Sequence, residues 1–191
     1  MKRIKLNLTY KTLSTANWSD FEMLFGEKGA CGGCWCMYWR LNSQEFEKNK
    51  GTGNKNLMKK IAKTDTSPGI LAYHEKKPVG WCSFAKRNEL PRLSSSRNLK
   101  VIDNAEVLSI VCFYIHKDYR NKGIATELVK KVETIARKQG IKILEGYPVD
   151  KLEKYPDTFA WTGFVSSFRK NGFEEVIRRS ESRPIMRKYL T

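Results

Sequence analysis

The chain has 191 residues, 40% hydrophobic and 29% charged, a globular mix that excludes disorder as its overall state. A single domain of this size buries about 70% of its unfolded surface, so it needs neither disulfides nor a metal to fold. Thirty-six Lys and Arg against twenty Asp and Glu leave a net charge of +16. Anionic partners such as nucleic acid, acidic lipids or phosphorylated cofactors would feel that field, but the basic residues form no tract, which argues against a nucleic-acid arm.

In chain order, Ile4, Leu6, Leu8 and Tyr10 alternate as in a first strand. Residues 14–25 read as a helix, with Trp18, Phe21, Met23, Leu24 and Phe25 on its apolar side. A Gly/Cys/Trp loop covers 26–40, and short helices follow at 43–48 and 54–64. Residues 70–74 and 79–86 form a hairpin closed by 75–78. The polar, basic stretch 88–104 reads as a long surface loop. Residues 106–116, dense in β-branched and aromatic side chains, form a central strand buried on both faces. Ile124, Leu128, Val132 and Ile135 make one helical stripe, which Gly140 ends. A strand covers 141–147. A further helix opens at Pro156 with Asp157 as its N-cap, presents Trp161, Phe164, Val165 and Phe168 inward, and ends at Asn171-Gly172. Strands at 173–178 and 184–189 close one α/β domain.

The uncharged stretches 29–39 and 107–116 fall short of the ~18 apolar residues of a membrane span. The alternating start has no apolar secretory region, so a cytoplasmic protein is expected. Five cysteines are then expected as thiols. Three form Cys31-Gly-Gly-Cys34-Trp-Cys36, which is half a zinc site at most: His74 and His116 are isolated and distant, and no metal is expected.

The strongest chemical signal is a buried strand, a short basic turn and a helix start. The first helical N–H groups lack internal partners and the helix dipole adds positive potential, which together make an anion site. Gly123 permits close approach of a phosphate, and Arg120 and Lys122 add charge. The spacing Arg120-x-x-Gly123-x-Ala125 is neither a P-loop nor a dinucleotide fingerprint.

Residues 112–128 resemble the acetyl-CoA motif of the GNAT superfamily of N-acetyltransferases, which shows Gln/Arg-x-x-Gly-x-Gly/Ala between its fourth strand and the next helix. The closing segment 168–176 and the order of elements resemble the family as well. The Cys-rich loop resembles a subgroup of acetyltransferase-like proteins. The resemblance implies a mixed, mostly antiparallel sheet of six or seven strands, splayed between strands 4 and 5 and flanked by helices. It implies acetyl-CoA as cofactor and a small-molecule or peptide amine as acceptor, with a homodimer left open.

On that resemblance the backbone of Asn121, Lys122, Gly123, Ile124, Ala125 and Thr126, with Arg120, would cradle the diphosphate. Phe113 and Ile115 would bond the pantetheine arm. Phe168 stands where relatives carry a proton-donating tyrosine, Ser109 where they carry a glutamate, and Trp161 where they carry an asparagine. Glu145 or Glu106 would then be the base, and Ser166, Ser167, Tyr147 or solvent the proton donor. Trp35, Tyr38 and Trp81 would line the acceptor pocket or belong to the core. Cys112 could carry an acyl group or be an inert buried thiol. A non-catalytic acyl-CoA-binding domain and, on charge alone, a nucleic-acid-binding protein are the competing readings.

Overall fold

The computed structural model describes residues 6–150 and 160–191. Seven strands form one sheet: β1 (Leu8–Thr12), β2 (Gly69–His74), β3 (Lys77–Lys86), β4 (Leu108–Ile115), β5 (Ile143–Gly146), β6 (Glu174–Arg178) and β7 (Pro184–Tyr189). Their spatial order is β1-β2-β3-β4-β5-β7-β6. All neighbours are antiparallel except β4 and β5. A parallel pair needs a crossover, and α5 (Ile124–Lys138) supplies it. The other helices are α1 (Trp18–Phe25), α2 (Ser43–Lys48), α3 (Thr52–Ile61), α4 (Pro91–Ser95) and α6 (Val165–Arg169).

The apolar periodicity decides which face each element covers. Ile124, Leu128, Val129, Val132 and Ala136 bury one side of α5 against Ile110 and Phe113 of β4 and Val79 of β3. On the opposite face, Trp18, Phe21, Leu24 and Phe25 of α1 pack with Trp35, Met37 and Trp81. A third cluster joins Trp39, Leu90, Leu93, Leu99, Val111 and Tyr147. Burying such side chains contributes about 1.5–3 kcal/mol each.

Several expectations need correction. Met23 is 68% exposed, so only part of the apolar run on α1 faces inward. The hairpin closes more tightly than expected, through Glu75 and Lys76 alone (φ 49° and 66°), which leaves Lys77 and Pro78 in β3. The stretch 88–104 is no plain surface loop: Pro91 starts α4, and Leu90, Leu93 and Leu99 are buried. The leucines outweigh the polar composition around them. The last helix is much shorter than expected. Gly163 is left-handed (φ 82°) and Phe164 is extended, so the backbone turns helical only at Val165. Ile4, Pro156 and Asp157 lie outside the described residues.

Candidate active site

The strands β4 and β5 part at a bulge. Ser83 of β3 faces Cys112 and the next residue, Phe84, faces Ile110, so Val111 is an extra residue on β4. Such bulges bend a strand and re-aim its side chains. The parallel ladder with β5 joins Leu108 to Leu144, Ser109 to Glu145 and Ile110 to Gly146, and ends there. The Val111 carbonyl accepts a hydrogen bond from Trp39 Nε1 at 3.0 Å.

Beyond this point a wedge opens between the strands, and the chain after residue 160 runs into it. The Phe113 N–H donates to the Trp161 carbonyl at 2.6 Å, Val149 N–H to Gly163 O at 2.8 Å, and Val165 N–H to Val149 O at 3.1 Å. Gly163 makes this approach feasible. A side chain there would meet the Phe113 ring at 2.9 Å on a backbone already left-handed.

The turn after β4 leads into the start of α5. Arg120 Nε donates to the Ile115 carbonyl at 3.3 Å, which holds the guanidinium beside the strand end. Asn121 (φ 60°) and Gly123 (φ 83°) are both left-handed, and nothing lies within 4 Å of where a Gly123 side chain would start. The first helical bond runs from Glu127 N–H to Gly123 O at 3.2 Å, so the N–H groups of Ile124, Ala125 and Thr126 precede the helical ladder. Asn171 Nδ2 donates to Thr126 O at 3.0 Å, tying the end of α6 to this turn. The arrangement is an open, positively charged cradle of backbone donors.

Behind the wedge lies a buried polar network. Glu145, 1% exposed, accepts at Oε1 from Arg87 Nη1 (2.9 Å) and the Tyr147 hydroxyl (2.5 Å), and at Oε2 from Arg187 Nε (2.7 Å). Arg187 also donates to both oxygens of Asp103, at 2.6 and 3.0 Å. The Tyr147 hydroxyl lies 2.8 Å from Ser109 Oγ. Burial first, and then the Glu145 charge, push the Tyr147 hydroxyl well above the ordinary phenol range. The Arg187 hydrogen bonds hold the Asp103 carboxyl below the ordinary range. Two guanidinium groups thus pair with Glu145, one at each carboxylate oxygen.

The expected site residues do not all gather here. Glu106 sits at the opposite end of β4, with its side chain 63% exposed and paired to Lys86 Nζ at 2.5 Å. Ser166 is exposed on α6. Phe168 is fully buried, with its ring centre 6.1 Å from Phe113 and 5.1 Å from Phe173. Trp35 and Trp81 are 4% and 0% exposed and belong to the core, so neither offers surface to an acceptor. Tyr38 is half-buried between Trp39 and Trp161, with the Arg92 guanidinium 4.0 Å over its ring. Phe113 and Ile115 lie on β4, and Arg120 and residues 121–126 on the turn and helix start that follow it. The sequence reading missed Arg87 and Arg187. The carboxylate of Glu145 inside the apolar strand Ile143–Gly146 was the available signal, since a buried charge calls for an opposite one.

Among the described residues, no cluster of three or more His, Cys, Asp or Glu is placed to hold a metal ion, and no helix is long and apolar enough to cross a membrane. Residues 35–150 match the family model described as Acetyltransferase (GNAT) family. A search of curated protein sequences returned no match. Among solved structures, the chain is similar to PaiA N-acetyltransferase of Thermoplasma acidophilum in complex with coenzyme A (TM-score 0.55, 16% identity, 97% of this chain and 100% of that one). It is similar to YncA of Salmonella typhimurium with its cofactor acetyl-CoA (0.53, 10%, 96% and 94%). It is also similar to an agmatine N-acetyltransferase variant in its apo form (0.58, 9%, 96% and 100%). At these identities the likeness establishes the fold.

Proposed function

The chain belongs to the acetyltransferase (GNAT) family, and from that we propose that it transfers an acetyl group from acetyl-CoA to a primary amine by direct attack of the amine on the thioester. The observation that carries the proposal is the juxtaposition of the β4–β5 wedge with the donor cradle at the start of α5. The fold is shared with proteins solved with coenzyme A or acetyl-CoA, and with one named for an amine acceptor.

The residues present fit the cofactor at the cradle. The free space at Gly123 and the N–H groups of Ile124, Ala125 and Thr126 suit a diphosphate, with Arg120 and Lys122 supplying charge. When bound, the cofactor supplies an activated acyl thioester. Phe113 can serve its pantetheine arm only once Trp161 O releases the Phe113 N–H. Ile115 O is likewise shared with Arg120. The half-buried ring of Tyr38 stands as the acceptor-side residue.

An amine must be neutral to attack, and a lysine-like amine has a pKa near ~10.4. Glu145 acts as a positioning residue, holding Tyr147 and the start of the wedge, and water takes the amine's proton. Phe168 keeps the wedge dry without donating a proton, and Ser166 is exposed, so the proton for the departing sulfur also comes from solvent.

Calorimetry with acetyl-CoA tests the cradle. Gly123→Glu should abolish binding, because a carboxylate would project into the anion site from a left-handed backbone. Unchanged affinity in a folded variant would refute the assignment.

A further inference from the structure

The Cys-rich loop meets β4 at a feature that acetyl transfer does not use. On the sheet face opposite α5, the Cys36 thiol accepts from Trp81 Nε1–H at 3.1 Å and packs in one cluster with Cys112, which faces Ser83 across the β3–β4 ladder. The Arg40 guanidinium stands nearby. Its Nη2 donates to Pro68 O (3.0 Å), Phe84 O (2.8 Å) and Ser83 Oγ (3.4 Å), and its Nε is buried without a partner. Among the described residues Arg40 forms no ion pair with a carboxylate, although Glu89 acts on its charge from a distance. A cation without a carboxylate, near a sulfur that accepts an indole N–H, favours a thiolate.

The groups facing Cys36 divide the protons accordingly. Burial pushes the Cys36 thiol up, but the neighbouring Cys112, Trp81 and Ser83 and the Arg40 charge outweigh it and bring it to about 7. The Cys36 bond first, and burial second, hold the Cys112 thiol well above its ordinary range. Burial and the Cys36 charge push Cys34 up to about 11. Cys82 is likewise raised by burial and by Cys36, and belongs to the cluster packed against α5.

The backbone is committed to this contact. Trp35 (φ 44°) and Cys36 (φ 58°) are consecutive left-handed residues other than glycine, a strained arrangement that surrounding structure must enforce. Gly29, also left-handed, leaves room for the Trp35 indole, which any side chain there would strike. Cys36 is 5% exposed, while Cys112 and Cys34 are partly exposed, so the site is open only to small reagents.

We propose that Cys36 and Cys112 form a dithiol that small hydroperoxides oxidise to an intramolecular disulfide, linking the loop that follows α1 to the bulge of β4. The Cys36 thiolate attacks one peroxide oxygen and the O–O bond breaks. Cys36 becomes a sulfenic acid, and the departing hydroxide takes the Cys112 proton. The Cys112 thiolate then attacks the sulfenic sulfur, the S–S bond forms, and hydroxide leaves and is protonated to water. Two thiols lose two electrons and two protons, and one hydrogen peroxide becomes two waters. A thiol-reducing agent reverses the bond. The site does not depend on acetyl transfer, so the two readings stand or fall separately.

Peptide mapping of the full chain tests the proposal. The reduced protein is treated with stoichiometric hydrogen peroxide, alkylated, digested and read by mass spectrometry. The expected product joins the Cys36 and Cys112 peptides, two hydrogens lighter than their sum, and is lost on treatment with dithiothreitol, while Cys82 remains alkylated. In Cys112→Ser a sulfenic acid should accumulate on Cys36 and be trapped by dimedone. In Cys82→Ser the cross-link should persist. Arg40→Met should slow the cross-link about tenfold for each unit by which the Cys36 thiol rises. A map in which Cys36 and Cys112 stay alkylatable while exposed Cys31 is consumed would overturn the proposal, as would a cross-link from Cys36 to Cys34. The wild-type map decides the question even if a variant fails to fold.

Discussion

Cys36 couples a strained backbone to a shifted thiol, and its titration should be visible in stability. Its folded value, about 7, lies below the ordinary 9.0, so the folded protein releases this proton before the unfolded chain does. That contribution is present above the unfolded value and is lost as pH falls through about 7. Cys34, Cys82 and Cys112 are shifted upward, so they favour the folded state only until the unfolded thiols ionise. Stability should therefore rise from pH 7 to a maximum at about 8.5, by about 1 kcal/mol, and fall above that. Denaturant unfolding across this range should show the rise, and Cys36→Ala should flatten it. Glu145 makes a second residue-level case. Glu145→Gln leaves Arg87 and Arg187 buried with one carboxylate fewer, which should cost about 3–5 kcal/mol of unfolding free energy. Unchanged stability with a large fall in turnover would make Glu145 a base instead. The sequence pointed to Glu145 and Tyr147 but not to their cationic partners, because Arg87 and Arg187 lie 58 and 42 residues from Glu145 and only the fold brings them together.

The strand β4, its turn and α5 were readable because their signals are local. They comprise a run of β-branched and aromatic residues, a glycine that must be left-handed, and a stripe of period 3.6. The segment after residue 160 was not. Its apolar residues fit a helix by spacing, but a turn at 161–162, left-handed Gly163 and the bridge between Val149 and Phe164 keep it non-helical. That placement makes Trp161 the element's anchor, with its ring centre 5.0 Å from Tyr38 and 5.5 Å from Trp39. Trp161→Ala should loosen the segment and free the Phe113 N–H. Calorimetry should then show acetyl-CoA binding a few-fold more tightly, the affinity rising as the competent fraction rises. An unchanged or weaker affinity would show that the segment does not compete with the cofactor.

Across the whole molecule, the order of elements gave the α/β class, and the family resemblance implied the mixed sheet parted between its fourth and fifth strands that the structure shows. Pairing directions, the bulge at Val111 and the burial of Leu90, Leu93 and Leu99 depend on contacts between distant segments. The net charge of +16 gives the cradle at α5 a favourable background for a polyanionic cofactor. The acceptor is the part that charge and fold leave least specified, since Trp35 and Trp81 are withdrawn into the core. The most direct test is a single-turnover reaction of the chain with acetyl-CoA and a panel of primary amines, following free thiol and acetylated amine together. The account predicts thiol release that requires an amine, matches it one for one in acetylated product, and disappears in Gly123→Glu. Acetyl-CoA that binds at the cradle yet releases no thiol to any amine would contradict it.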